Sequence, residues 1–207
     1  MVKAILFDLG NVLLPLDVEK TYHAFETLGA KNSLHKELPL FHSWEKGELS
    51  PDKFCAEIGN HLKYQAHNNT IKAAWNSMLL PFPGEYLRLL KKLNTKYRLV
   101  LISNINHIHE LAIKEMMGPF IYRQFLKQFS GIYYSHHDGM RKPDEEFFNH
   151  AIRESSLVPE ETLFIDDTEA NIICATKLGF QTWHFNPQTD DLLGLENHIK
   201  KKHNNND

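Results

Sequence analysis

The chain has 207 residues, 42% hydrophobic and 24% charged, with a formal net charge of -3. That is an ordinary globular composition with room for one sizeable core; it excludes a basic field for nucleic acid or an anionic membrane surface. No apolar run approaches the roughly 18 residues of a membrane span.

The first apolar run, Val2 to Phe7, is broken only by Lys3 and reads as a buried strand ending at Asp8, with a turn at Gly10. With no signal-peptide pattern ahead of that strand, the expected compartment is cytoplasmic. Residues 15–80 then break the strand rhythm. Helical patterns at Val18–Leu28 and Pro51–Leu62 make this a helical insertion, and Pro81-Phe82-Pro83-Gly84 is a linker back. Beyond it, strand and helix patterns alternate: helix Glu85–Leu93, strand Arg98–Ile102, helix Ile108–Met117 and a weaker strand Gly131–Ser135. Helix Glu145–Ser155, strand Thr162–Ile165, helix Glu169–Leu178 stopped by Gly179, and strand Phe180–Phe185 complete the series. Residues 201–207, charged and Asn-rich, read as a disordered tail.

Strands alternating with helices define an α/β fold: a Rossmann-like parallel sheet covered on both faces. The expected organisation is a core of residues 1–14 and 81–200 with a helical cap, 15–80, inserted after the first strand. Cys55 and Cys174 stand far apart in helical contexts, so small buried hydrophobes are expected rather than a disulfide.

Each strand end carries polar residues. Asp8 follows the first, Ser103-Asn104 the second, a loop from Ser135 to Pro143 containing Lys142 the third, and Asp166-Asp167 the fourth. In a parallel sheet these ends share one edge, where ligands bind. The residue types suit phosphoryl transfer. Asp8, Asp166 and Asp167 offer hard oxygen ligands for magnesium. Lys142 offsets phosphate charge, and the Ser103 hydroxyl with backbone N–H groups can hold the equatorial oxygens. Asp8 is then the covalent nucleophile. Alone, each station has an ordinary reading. Asp8 would cap a turn, Asp166-Asp167 would lead a helix, Ser103-Asn104 would form a turn, and Lys142 would be solvated. Four stations in order favour the catalytic reading.

With Asp8 in FDLGNVL, Ser103 in LVLISN, Lys142 in GMRKPD and Asp166-Asp167 in FIDDTEAN, the chain resembles the haloacid dehalogenase superfamily over nearly its whole length. The motifs look closest to its sugar-phosphatase-like branch, which includes bacterial α-D-glucose-1-phosphate phosphatase. The resemblance implies a helical-cap HAD hydrolase using Mg2+ on a small phosphorylated substrate, without an obligate protein partner. It makes Asp8 nucleophile and metal ligand, gives the Gly10 carbonyl, Asp166 and Asp167 to the metal, and gives Ser103, Asn104 and Lys142 to the phosphate.

Gly10 is the departure. Most phosphatases of the superfamily carry a second Asp there, a proton shuttle typically contributing about two to four orders of magnitude. The resembled branch also carries glycine. Asp17, His107 and a metal-polarised water are candidates to protonate the leaving group. Trp44 and Glu45 are candidates to line the pocket, and Arg141 reads as an ion-pair partner. The thirteen histidines show no compact spacing of metal ligands. Two rivals stand beside the phosphatase: a metal-free 2-haloacid dehalogenase, against which the paired acids argue, and a non-catalytic domain that binds a phosphorylated ligand or a protein.

Overall fold

The structure is a computed structural model that describes residues 1–30 and 39–204. Five parallel strands, β1 (Ala4–Phe7), β2 (Arg98–Ser103), β3 (Gly131–Tyr134), β4 (Thr162–Asp166) and β5 (Gln181–His184), form one sheet in the order β3-β2-β1-β4-β5. All of β1 and β4 is buried. Their side chains alternate between two apolar layers, as a sheet covered on both faces requires. Ile5, Phe7, Leu99, Leu101, Leu163 and Ile165 enter one layer. Ala4, Leu6, Val100, Ile102 and Phe164 enter the other.

Register positions the chemistry. Phe7 pairs with Leu101 of β2 and with Ile165 of β4. The Asp8 N–H continues the ladder onto the Ile165 carbonyl at 2.9 Å, so Asp8 emerges beside Asp166.

The insertion folds into α1 (Val18–Thr27), α2 (Pro39–Glu45), α3 (Pro51–Asn60) and α4 (Asn68–Asn76). Its own core gathers Phe25, Trp44, Phe54, Cys55, Ile58 and Ile71. Trp44 stacks on Phe54 at 4.4 Å between ring centroids. The chain leaves and re-enters the sheet domain side by side: Asp17 N–H donates to the Met78 carbonyl at 2.8 Å, and Leu80 N–H to Pro15 at 3.2 Å. Ser50 caps α3 by accepting from Lys53 N–H, with Pro51 in the first turn. The sequence gives α2 and α4 little signal, since one is short and the other opens on Asn-Asn-Thr.

In the sheet domain, α5 (Gly84–Leu93), α6 (His107–Leu126), α7 (Ser135–Asp138), α8 (Glu145–Ser155), α9 (Glu169–Lys177) and α10 (Leu195–Asn204) follow. The expected stop at Met117 is a kink: Gly118 has φ +72° and Pro119 lacks an N–H, yet the helix resumes to Leu126. Ser135 starts a helical turn instead of ending β3. Gly179, at φ +91°, terminates α9 with Gly179 and Phe180 N–H groups bonded back to Thr176 and Ala175. The last helix runs through Asn204, so the expected tail from 201 is helical up to that point; residues 205–207 lie outside the described residues. No described helix is long and apolar enough to cross a membrane.

Candidate active site

Asp8, Asp166 and Asp167 each bring a carboxylate oxygen within 4.8 Å of the others. Lys142 joins the first two. Its Nζ lies 2.8 Å from Asp8 Oδ1 and 2.6 Å from Asp166 Oδ2. Asp8 Oδ1 also accepts from Leu9 N–H at 2.6 Å, which fixes the carboxylate and leaves Oδ2 outside both bonds. Asp166 is fully buried and held by three further bonds: Thr168 N–H at 2.8 Å, and Asn171 Nδ2 at 3.0 Å to each oxygen. Asp167 Oδ2 accepts from Asn11 Nδ2 at 2.8 Å.

Three carboxylates thus face one ammonium. Burial pushes the Asp8 carboxyl up to about 7; Lys142 pulls it down, while Asp166 and Asp167 push it further up. Burial alone would lower the Lys142 ammonium, but Asp166 and Asp8 hold it above its ordinary range. The surplus negative charge on hard oxygen donors fits a divalent cation such as magnesium.

Asn104 is bonded twice to the Lys142 backbone. Its Oδ1 accepts from Lys142 N–H and its Nδ2 donates to the Lys142 carbonyl, both at 2.8 Å. Its side chain therefore positions Lys142. Ser103 is buried and opens on a small cleft with Gly10 and Asn104, adjoining the Asp8 pocket. The Gly10 carbonyl accepts from Val12 N–H at 2.7 Å and keeps a second lone pair. A Cβ on Gly10 would stand 3.0 Å from Leu16 Cδ1, so a side chain there would press on the end of that leucine and require it to shift.

A pocket of about 490 Å³ surrounds Asp8, Gly10, Asn104, Lys142 and Asp167, and the cap closes it with His42 and Glu45. Glu45 pairs with Arg141 at 2.9 Å across the cap–core joint, which agrees with the ion-pair reading of Arg141. Trp44 is cap core, not lining. His107 lines a separate groove between α4 and α6, and Asp17 pairs with Lys20; neither lines the Asp8 pocket. His42, Asn11 and Asn171 escaped sequence reading. Asn171 falls within the FIDDTEAN motif, five residues past Asp166, but His42 has no local signal.

A parallel sheet with acids and a lysine gathered at one edge, under an inserted cap, defines a hydrolase-type α/β protein. The match is specific: the chain belongs to the haloacid dehalogenase-like hydrolase family, whose model covers residues 2–179. It is 30% identical to a D-ribitol-5-phosphate phosphatase of Bacteroides thetaiotaomicron over 200 residues, covering 88% of this chain and 91% of that one. A sesquiterpene phosphatase of Aspergillus oryzae is 27% identical, covering 92% and 91%. Among solved structures, a Bacteroides thetaiotaomicron HAD family enzyme, a mutant crystallised with magnesium and inorganic phosphate, matches with TM-score 0.85. It is 33% identical, covering 92% of this chain and 96% of that one.

Proposed function

We propose that this protein is a magnesium-dependent phosphatase that hydrolyses a small phosphorylated metabolite through an aspartyl-phosphate on Asp8. The observation that carries this reading is the Lys142 ammonium held between Asp8 and Asp166, with Asp167 beside them. The phosphatase relatives and the magnesium and phosphate bound in a similar structure support it.

Asp8, Asp166, Asp167 and the Gly10 carbonyl are the proposed metal ligands. Magnesium bound there supplies charge that offsets the repulsion between carboxylate and phosphate. Asp8 Oδ2 attacks phosphorus, and the bond from phosphorus to the leaving oxygen breaks as the new one forms. Lys142 and the N–H groups near Ser103 and Asn104 stabilise the equatorial oxygens. The departing alkoxide takes a proton. His42 contributes the one imidazole among the described residues lining the pocket, and it fills the donor role that Gly10 leaves open. Water then attacks the phosphorus of the aspartyl-phosphate, loses its proton to the same imidazole, and frees inorganic phosphate and Asp8.

A sugar or sugar-alcohol phosphate is the first candidate substrate, supported by the ribitol-phosphate relative. A specific observation favours a second reading. An apolar cavity of about 170 Å³, lined by Val18, Tyr22, Phe25, Phe41, Trp75 and Met78, adjoins the Asp8 pocket at His42, Glu45 and Arg141. A hydrophobic cavity of roughly 150 Å³ holds a benzene-sized group, so a leaving group with an apolar end would fit. The sesquiterpene phosphatase relative supports that reading.

The test is phosphate release from glucose 1-phosphate, ribitol 5-phosphate and a sesquiterpenyl monophosphate, each with magnesium and with a chelator. Chelator-sensitive turnover of any of them supports the phosphatase. Preference between polyol and terpenyl esters decides the substrate class. Metal-independent release of halide from a 2-haloacid, with no phosphate release, overturns the reading.

A further inference from the structure

Away from Asp8, His107 and Glu110 of α6 and His136 of α7 each bring one potential ligand atom within 4.8 Å of the others. His107 and Glu110 are three residues apart in the first turn of α6 and so share a face. Helix α7 brings His136 and His137 against that face. Glu110 Oε2 lies 3.0 Å from His136 Nε2 and 3.2 Å from His137 Nε2, and Tyr122 O–H donates to Glu110 Oε1 at 3.5 Å. The His136 hydrogen bond holds the Glu110 carboxyl below its ordinary range, so it is an anion at neutral pH.

His136 is the most buried member of the set. Its side chain is only 5% exposed, its ring stacks on Tyr134, and its Nδ1 is buried without a hydrogen-bond partner. Orphaned buried ring nitrogens are uncommon because the desolvation cost is uncompensated. The nitrogen that faces the cluster is Nε2, 3.0 Å from Glu110 Oε2; as a ligand it gives its lone pair while Nδ1, across the ring, keeps the proton.

We infer that His107, Glu110 and His136 form a second metal site, for a first-row transition ion of the zinc class, with His137 at its rim. Imidazole and carboxylate donors suit zinc, whereas magnesium requires oxygen donors; the two sites of the protein therefore sort the ions by chemistry. Zinc bonds of about 2.0–2.1 Å set tetrahedral donors roughly 3.4 Å apart, and His107, which is exposed, can rotate to close the set. Glu110 carries its outer-shell partner in Tyr122. The ion staples α6 to α7, the helix that leads into the Lys142 loop.

The experiment is calorimetric titration of the full chain with zinc in millimolar magnesium, repeated with His107→Gln, Glu110→Gln and Asp166→Asn. Cobalt absorption serves as a second readout. One equivalent of zinc is expected, with Asp166→Asn unaffected. His107→Gln is expected to weaken binding at least about tenfold, the low end of what even an outer-shell partner contributes. Because His107 is exposed, that variant keeps the fold, checked by its circular dichroism. Absence of zinc binding, wild-type affinity in His107→Gln, or loss of the equivalent in Asp166→Asn overturns the inference.

Discussion

Lys142 Nζ lies 2.8 Å from Asp8 Oδ1, and the lysine side chain is 1% exposed. The same ammonium reaches Asp166, so one buried cation compensates two buried anions. Removing it leaves both carboxylates uncompensated, a loss typically of about 3–5 kcal/mol. Lys142→Met is therefore expected to lower stability by that order in chelator and to lose activity. Magnesium at the proposed site would neutralise the same carboxylates, so adding it should restore part of the stability. Urea denaturation with and without magnesium measures both effects.

Asn171 donates to both oxygens of Asp166 and holds the plane of the carboxylate. Partners of this kind contribute roughly 10–100-fold to metal affinity. Asn171→Ala is expected to raise the magnesium concentration for half-maximal activity by about tenfold or more, with a smaller effect on kcat at saturating magnesium. The magnesium dependence of initial rates reads this directly.

His42 is expected to matter in proportion to how poor the leaving group is. His42→Asn should slow an alkyl phosphate by up to about two orders of magnitude, the lower range for general acid catalysis. It should leave the first, pre-steady-state release of 4-nitrophenol from 4-nitrophenyl phosphate, whose leaving group needs no proton, nearly unchanged, while hydrolysis of the aspartyl-phosphate slows for both esters. Equal losses in that first step on both esters would assign the leaving-group proton to another donor.

Glu196 of α10 pairs with Lys92 and Lys96 of α5, and hydrogen bonds from those lysines pull its carboxyl from 4.5 to about 2. The depressed value means that the folded chain prefers the anion. The contribution is present above pH 4.5 and is lost as pH falls towards 2. Both lysines are solvent-screened, so the contribution is expected to be small. Glu196→Gln should flatten the stability profile across that window, most visibly at low salt.

Much of this is legible in the sequence. The strands show because β-branched and apolar residues run unbroken where a sheet is covered on both faces, as in Ala4–Phe7 and Arg98–Ser103. Asp8, Lys142, Asp166 and Asp167 show because strand ends and their polar stations recur in order, and the structure brings those four together. What stayed hidden depends on contacts remote in sequence. The Asn104 clamp on Lys142 spans two loops. His42 meets the pocket only through the packing of the cap. The histidine–glutamate cluster forms because α6 and α7 start at neighbouring strand ends, which no local spacing reveals. Leu16, whose side chain ends beside Gly10, likewise belongs to the segment that enters the insertion and not to the motif.

The central claim is that Asp8 takes the phosphoryl group. The most direct measurement is magnesium-dependent phosphate release by Asp8→Asn beside the unmodified chain, on the best ester of the substrate panel. The substitution preserves shape and removes the nucleophilic carboxylate. Loss of turnover to the background rate, in a variant that still folds, is the expected result; phosphate release at the unmodified rate would contradict the account.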